Sequence, residues 1–284
     1  GSHLGGSRPI QTAIQEPVTA SAGACGFVVI GFNTDMEREV TEPGGKVRLY
    51  VEGDLGDGAE LTLSDAQAHY LLHVMRAHVG DRVRLFDGRN GEWLAEIAGI
   101  SKRSCVLRCL KQTEAQGEVP DLWLAFAPIK KTPADYLTQK ATELGVRVLQ
   151  PVTTRRTIVT RVNIERMRAN AIEAAEQSGR LSVPEVREAV AFDKLLANWP
   201  DDRRILFCDE AGDAQPIAAA LKETPAEKWA VFTGPEGGYD PAERAALRRL
   251  PLVTPVTLGP RILRADTAAL AALAVWQSLA GDGR

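Results

Sequence analysis

LGPRILRADTAALAAL, Leu258 to Leu273, stands near the end of the chain. A β-branched apolar run, VTPVT, leads straight into a Gly-Pro turn. Arg261 and Arg264 bracket Ile262-Leu263, and a helix rich in alanine and leucine begins at once. A loop that only connects needs neither cations nor exposed aliphatic side chains. About twenty residues upstream the same grammar recurs: the apolar strand WAVF runs into TGPEGGYDPAE, Thr233 to Glu243. Gly234, Gly237 and Gly238 permit close backbone approach to a ligand. Asp240-Pro241-Ala242-Glu243 reads as helix cap, first-turn proline and capping-box glutamate, which brings a helix dipole near the loop.

Working outward, strands alternate with helices from Asp121 onward. LWLAFAPI and VRVLQPVTT are continuous apolar strands. TPADYLTQKATELG reads as a helix capped by Thr132, with Pro133 in its first turn and Gly145 as its stop. NIERMRANAIEAAEQSGR carries an apolar stripe of Ile164, Met167, Ala171, Ile172 and Ala175. RRILFCDE, PIAAALKE, DPAERAALRRL and the final helix complete an α/β domain with a mostly parallel sheet over residues 121–284. Residues 46–118 read as a small β-barrel of five short strands, VRLYV, AELTL, DRVRLFDG, EWLAEIAGI and SCVLRCL. One helix interrupts it, from Asp65 to about Ala77, with Ser64 or Asp65 as cap. A linker falls near Gly117 to Asp121. Residues 1–45 read as an extension, possible tag remnant included (Gly1-Ser2-His3), broken by EPGG at Glu42 to Gly45; Met36 is one place a natural chain could start.

The bulk composition of the 284 residues, 44% hydrophobic and 25% charged, is that of a globular protein with room for two modest domains. No apolar run reaches the ~18 residues of a membrane span, and no secretion signal opens the chain, so a cytoplasmic, membrane-free protein is expected. Cys25, Cys105, Cys109 and Cys208 lack the paired spacing of a zinc site and read better as buried reduced thiols. His69 and His73 sit four apart, but no third ligand or HExxH glutamate accompanies them, so no metal is expected. The net charge of −3 argues against a nucleic-acid binder taken as an average. Lys130 to Arg180 nevertheless holds ten Lys and Arg against five Asp and Glu, a local balance of +5. That stretch, and Arg76, Arg82 and Arg84 in the barrel, read either as phosphate contacts or as solvated surface.

Neither G-x-G-x-x-G with its downstream acid nor G-x-x-x-x-G-K-[ST] is present, so dinucleotide and P-loop binding lack support. Peptide groups flanked by Leu258, Ile262 and Leu263 suit a flat, mostly neutral heterocycle such as adenine.

TGPEGGYDPAE and LGPRILRADTAALAAL resemble the two C-terminal motifs of the bacterial ribosomal RNA small subunit methyltransferase E family, of the SPOUT class. QKATELGV, EAAEQSGR and the barrel stretch HYLLHVMRAHVGDRVRLFDGRNG are similar to that family as well, so the likeness runs from about Val47 to the C-terminus. The resemblance implies a SPOUT-type α/β domain with a C-terminal deep trefoil knot, preceded by a PUA-like β-barrel that touches RNA. It implies S-adenosyl-L-methionine as cofactor, N3 of a uridine in 16S rRNA of the small ribosomal subunit or its precursor as substrate, and a homodimer through the C-terminal domain. The cofactor residues it implies are Thr233, Gly234, Gly237, Leu258, Gly259, Pro260, Arg261, Ile262 and Leu263. Arg264 is the candidate for stabilising charge on the uracil oxygens, and Glu236 and Asp266 are the candidate general bases. Arg76, Arg82, Arg155, Arg156, Arg161 and Arg180 are the candidate RNA contacts.

Two departures stand out. The family commonly carries Arg-Thr-Glu-Thr where this chain has Arg264-Ala265-Asp266-Thr267, and cysteine where it has Ser178. The first weakens a catalytic role for the shorter carboxylate; the second argues against a thiol mechanism. Two rival readings are a ribose 2′-O-methyltransferase of the same fold class, whose early Asn-x-Gly motif is not found here, and a non-catalytic ribosome-assembly factor that binds RNA.

Overall fold

The computed structural model describes residues 47–101, 104–159, 161–209 and 213–283. The expected extension, Cys25, Met36 and the EPGG break all lie outside the described residues. Alternating apolar side chains build the first sheet from β1 (Arg48–Tyr50), β2 (Glu60–Thr62), β3 (Arg82–Phe86), β4 (Glu92–Ile100) and β5 (Cys105–Glu114), with α1 (Asp65–His69) between β2 and β3. The order is β1-β3-β4-β5-β2, antiparallel except where β1 runs parallel to β3. Register shifts at Glu92/Trp93, Leu94/Ala95 and Ile97/Gly99 are bulges that bend β4 over β5. The concave side holds Leu49, Val83, Leu85, Ala95, Ile97 and Leu107 together with Cys105 and Cys109. Both cysteines are free and buried, and burial raises both thiols. Among the described residues, no group of three His, Cys, Asp or Glu is placed to hold a metal.

Ser64 caps α1 in a reciprocal capping box with Gln67. The expected helix to Ala77 is cut short. After His69 the backbone widens into a π-helical turn, Tyr70–Val74, in which the Met75 N–H reaches the Tyr70 carbonyl. This swings His73, Val74 and Met75 to solvent, and Arg76 then takes a left-handed φ of 53°.

The second sheet is written by apolar runs. It comprises β6 (Leu122–Phe126), β7 (Val148–Thr153), β8 (Glu185–Val186), β9 (Val190–Ala191), β10 (Arg204–Cys208), β11 (Gln215–Pro216), β12 (Trp229–Thr233) and β13 (Val253–Thr257). The order is β11-β13-β10-β12-β6-β7-β8, with β9 also on β7, and every pairing is parallel. A parallel sheet must be covered on both faces. α2 (Lys131–Glu143), α3 (Ile164–Ser178), α5 (Ile217–Glu223) and α7 (Ala265–Leu279) cover one, where Leu122, Leu124, Leu206, Trp229 and Val231 meet Leu137, Met167, Leu273 and Trp276. α4 (Phe192–Ala197) and α6 (Pro241–Arg249) cover the other, where Ala125, Ile205, Phe207 and Phe232 meet Phe192 and Leu247. No helix of the described residues is long and apolar enough to cross a membrane.

The helix ends correct the sequence reading in detail. α2 starts two residues earlier than its proline implied: Lys130, not Thr132, is its N-cap residue. Gly145 does end the helix with φ 78°, and a Cβ there would meet Gln277 Nε2 at 2.6 Å. That amide donates to the Leu144 carbonyl at 2.6 Å, so α7 closes the end of α2. α3 is clasped to α2 by Arg166 and Asn170 on Asp135. Hydrogen bonding from Arg166 holds the Asp135 carboxyl below its usual range. The clasp therefore contributes fully at neutral pH and is lost only as pH falls through that depressed value.

Arg48 joins the two sheets. Its side chain, 9% exposed, donates to Glu92 at 2.6 Å and to the carbonyls of Ala175 and Arg180 at 2.8 and 2.7 Å. It also lies over the Phe86 ring at 3.9 Å. Beside it, Glu176 of α3 accepts the Tyr50 N–H at 3.0 Å. Removing Arg48 alone leaves the buried Glu92 carboxylate partly stranded, with only Arg84 at 3.6 Å and the Thr113 hydroxyl at 3.0 Å. Arg48→Met is expected to cost about 3–5 kcal/mol in denaturant unfolding, and the Arg48→Met, Glu92→Met pair markedly less. Equal costs for the two variants would rule out stranding as the cause.

Candidate functional site

β10, β12 and β13 are parallel neighbours, so their carboxyl ends share one edge of the sheet. Ligands of open α/β sheets sit at that edge. Here it holds a cavity of about 400 Å3. Thr233 to Gly234 and Pro235 to Glu236 after β12 form one wall, and Leu258 to Ala265 after β13 form the other. The volume falls in the range of small-molecule sites.

The two loops differ in how they are held. After β12, Gly234 packs on Tyr239: a Cβ on this glycine would stand 2.6 Å from the ring. Tyr239 in turn sits edge-on to Phe207 at 5.1 Å. Asp240 caps α6 through the Ala242 N–H, with Pro241 in the first turn. Glu243 does not complete a capping box. It is buried and accepts the Arg155 N–H at 2.9 Å. After β13, Gly259 takes φ 111°, a conformation open to glycine. Ile262 is 90% exposed, and Arg261 and Arg264 are exposed beside it.

Of the residues expected to hold a cofactor, Thr233, Gly234, Leu258, Gly259, Pro260, Arg261, Ile262 and Leu263 line this cavity. Gly237 does not; its carbonyl is turned to Arg156 Nη1 at 3.2 Å, and Gly238 lines the wall in its place. Among the candidate catalytic residues, Glu236 and Arg264 are on the wall and Asp266 is not. Asp266 lies inside the first turn of α7, whose N-cap residue is Arg264, and its carboxylate accepts the adjacent Thr267 N–H at 2.9 Å.

The candidate RNA contacts scatter. Arg155 and Arg156 are exposed but already docked on the β12 loop, Arg155 on Asp240 at 3.1 Å and Arg156 on the Gly237 carbonyl. Arg161 is exposed next to α3. Arg82 begins β3, Arg76 lies in the loop before it, and neither lines the cavity. Arg180 is half-buried and lies away from the cavity. Its guanidinium donates to the carbonyls of Thr142 and Val146 at 2.7 and 3.1 Å and to Ser182 at 3.2 Å. Burial lowers its pKa to about 10. A guanidinium committed to backbone carbonyls is not a surface phosphate contact.

The sequence reading missed the third wall, at the end of β10. Asp209 is 3% exposed, lines the cavity, and receives Arg244 at 2.8 Å and Arg248 at 2.7 Å from α6. Paired with two guanidiniums, this buried acid is electrostatically compensated. Its signal was present, since RRILFCDE puts an acid directly after a buried strand. Cys208 lines the same wall, and burial pushes its thiol up to about 12.

Two outcomes follow from this geometry. In the folded protein Cys208 is expected to resist alkylation near neutral pH and to react once denatured, as mass spectrometry of the labelled chain would reveal. Gly234→Ala is expected to cost about 1–3 kcal/mol of stability, because the new methyl displaces Tyr239. A denaturation midpoint equal to wild type would show that the ring is not fixed there.

A model of the RNA methyltransferase domain matches residues 117–277, and one of the RNA methyltransferase PUA domain matches residues 63–109. Ribosomal RNA small subunit methyltransferase E of Rickettsia conorii is 33% identical over 229 residues, covering 80% of this chain and 93% of that protein. The Synechocystis protein of the same name is 34% identical, covering 80% of this chain and 76% of its own length. The crystal structure of the Neisseria gonorrhoeae enzyme bound to S-adenosyl methionine superposes with a TM-score of 0.76 at 30% identity, covering 84% of this chain and 99% of that one. A Legionella pneumophila structure with bound SAM gives 0.75 at 30% identity, covering 83% of this chain and 98% of that one. The matched segments contain β3, β4, the whole parallel sheet and both cavity loops, and the chain belongs to the ribosomal RNA small subunit methyltransferase E family.

Proposed function

We propose that this chain transfers a methyl group from S-adenosylmethionine to N3 of one uridine of 16S rRNA, in the small ribosomal subunit or its precursor. The observation that carries the reading is the cavity floored by peptide groups between the loops after β12 and β13. Its residues fit the cofactor. Leu258 and Leu263 offer aliphatic contact to a heterocycle, Gly234 and Gly259 allow close backbone approach, and Asp209 accepts hydroxyl or ammonium donors. When bound there, S-adenosylmethionine supplies an electrophilic methyl group on a sulfonium.

The chain's own residues do the rest. N3 of uracil carries a proton and is hidden in a paired helix, so the base must be unpaired or flipped before it reaches the wall. Glu236 is exposed on that wall and takes the N3 proton. Arg264, fixed at the start of α7, faces the negative charge that then develops on the uracil oxygens. Asp266 is left out because its carboxylate serves its own helix. Arg155, Arg156 and Arg161 supply phosphate contacts, the first two by exchanging Asp240 and the Gly237 carbonyl for phosphate oxygens. Arg76 and Arg82 serve the same purpose on the PUA-like sheet. The reading also carries a trefoil knot through β10, β12 and β13, two domains joined near Gly117 to Asp121, and a cytoplasmic setting.

A homodimer fits α7. Leu273 and Trp276 are buried in the chain's own core, whereas Leu270, Val275 and Leu279 are only half-buried among small alanines.

The test is methyl transfer to small ribosomal subunits that lack the modification, with labelled cofactor and nucleoside mass spectrometry. Label is expected in N3-methyluridine. Arg264→Ala is expected to lower turnover about 100- to 1,000-fold while leaving cofactor affinity within a few-fold. Label in a 2′-O-methylated nucleoside would refute the chemistry. No turnover despite cofactor and RNA binding would favour an assembly factor.

A further inference from the structure

A second cavity, about 580 Å3, lies at the opposite edge of the same parallel sheet, where β6 and β7 begin. This cleft is bounded by the β3–β4 turn at Gly88 and Arg89, the linker from Gln116 to Val119, and the amino ends of β6 and β7. It belongs to neither the methyl-transfer cavity nor the basic loop before α3.

We propose that this cleft is a second RNA site, which holds phosphodiester groups of the strand leading to or from the target nucleotide. The proposal rests on the reading that the chain acts on RNA, and adds a place for the backbone away from the reacting base.

Charge supports it first. Arg89, Arg147, Arg180, Arg187 and Arg203 face the cleft, against Glu118, Asp121 and Glu185. The cations are not equally committed. Arg203 is locked to Asp121 at 2.8 Å, and Arg187 to Glu185 at 2.8 Å. Arg147 meets Glu118 only at 3.7 Å, with side chains 49% and 85% exposed. Arg89 meets Asp54 at 2.7 Å, but across a pair 57% and 84% exposed. Exposed pairs of this kind contribute little and exchange readily for a phosphate.

Burial supports it second. Arg180 contributes its charge to the cleft, yet its hydrogen bonds all go to uncharged oxygens. A desolvated cation without a bonded carboxylate is electrostatically incomplete, and an anion in the adjoining cleft offsets that cost. Asp282 acts on Arg180 electrostatically, but does not line the cleft.

Shape decides between a chain of phosphates and a single small anion. The exposed cations come from different elements, the β3–β4 turn and the approach to β7, and line a half-open cleft far larger than one phosphate fills. Between them stands Trp123, half-buried, with Arg187 at 4.2 Å and Arg203 at 3.9 Å from its ring. Stacked guanidinium planes of this kind also receive unstacked bases.

The experiment measures binding of a short oligouridylate to the full chain over a salt series, with S-adenosylmethionine binding and thermal unfolding recorded in parallel. Arg147→Ala and Arg89→Ala change exposed side chains outside the methyl-transfer cavity. Each is expected to weaken the oligonucleotide about tenfold at low salt and to reduce the salt slope by about 0.7. Cofactor affinity and unfolding temperature should stay at wild type, and Arg147→Lys should recover most of the binding. Wild-type oligonucleotide affinity in both alanine variants overturns the proposal, whatever methyl transfer does. So does loss of inorganic phosphate binding in the variants without any loss of oligonucleotide binding, which would make the cleft a free-anion site. Failure of the methyl-transfer reading alone would show as unlabelled product with these binding losses intact.

Discussion

Parallel pairing of β10 with both β12 and β13 is the constraint from which the rest follows. Parallel strands cannot be joined by tight hairpins, so each return needs a crossover on a face of the sheet. The crossovers bury both faces and force the carboxyl ends of these strands to one edge. Peptide groups there have left the ladder and have no partners within it. Three loop starts, at Asp209, Gly234 and Leu258, therefore converge without any one of them being long. The glycines matter because they let backbone rather than side chain form the wall, and Tyr239 matters because it backs Gly234 from behind.

The arginines divide by what they touch. Arg48, Arg180 and Arg203 donate to backbone carbonyls and hold chain segments together. Arg244 and Arg248 hold Asp209 in place at the cavity. Arg155 and Arg156 link the loop after β7 to the loop after β12, so a phosphate that draws them away loosens a wall of the cofactor cavity. A side chain's charge is fixed by its type; its use depends on whether the nearest acceptor is a carbonyl, a carboxylate or solvent.

Much of the fold was legible because its signals are local. Alternation marked the five strands of the first sheet, and apolar runs marked the main strands of the second. The stop at Gly145, which is left-handed, and the cap at Asp240 depend on backbone preferences that a single residue carries. Errors arose where a distant partner competed with the local rule. Glu243 looked like a capping-box residue, but the Arg155 N–H claimed it from 88 positions away. The helix after Ser64 looked regular, but widened into a π turn against the barrel core.

The sequence by itself determined which loops carry chemistry, because glycines, caps and flanking strands are written in consecutive residues. It also determined the family, through motifs at both cavity loops. Only the tertiary structure decided which side chains reach the wall. Gly237 and Asp266 turned away, Asp209 and Cys208 arrived from a third strand, and Arg180 turned to backbone carbonyls. The reason is physical: orientation at a site depends on hydrogen bonds and burial between segments far apart in the chain, and one-dimensional spacing does not encode them.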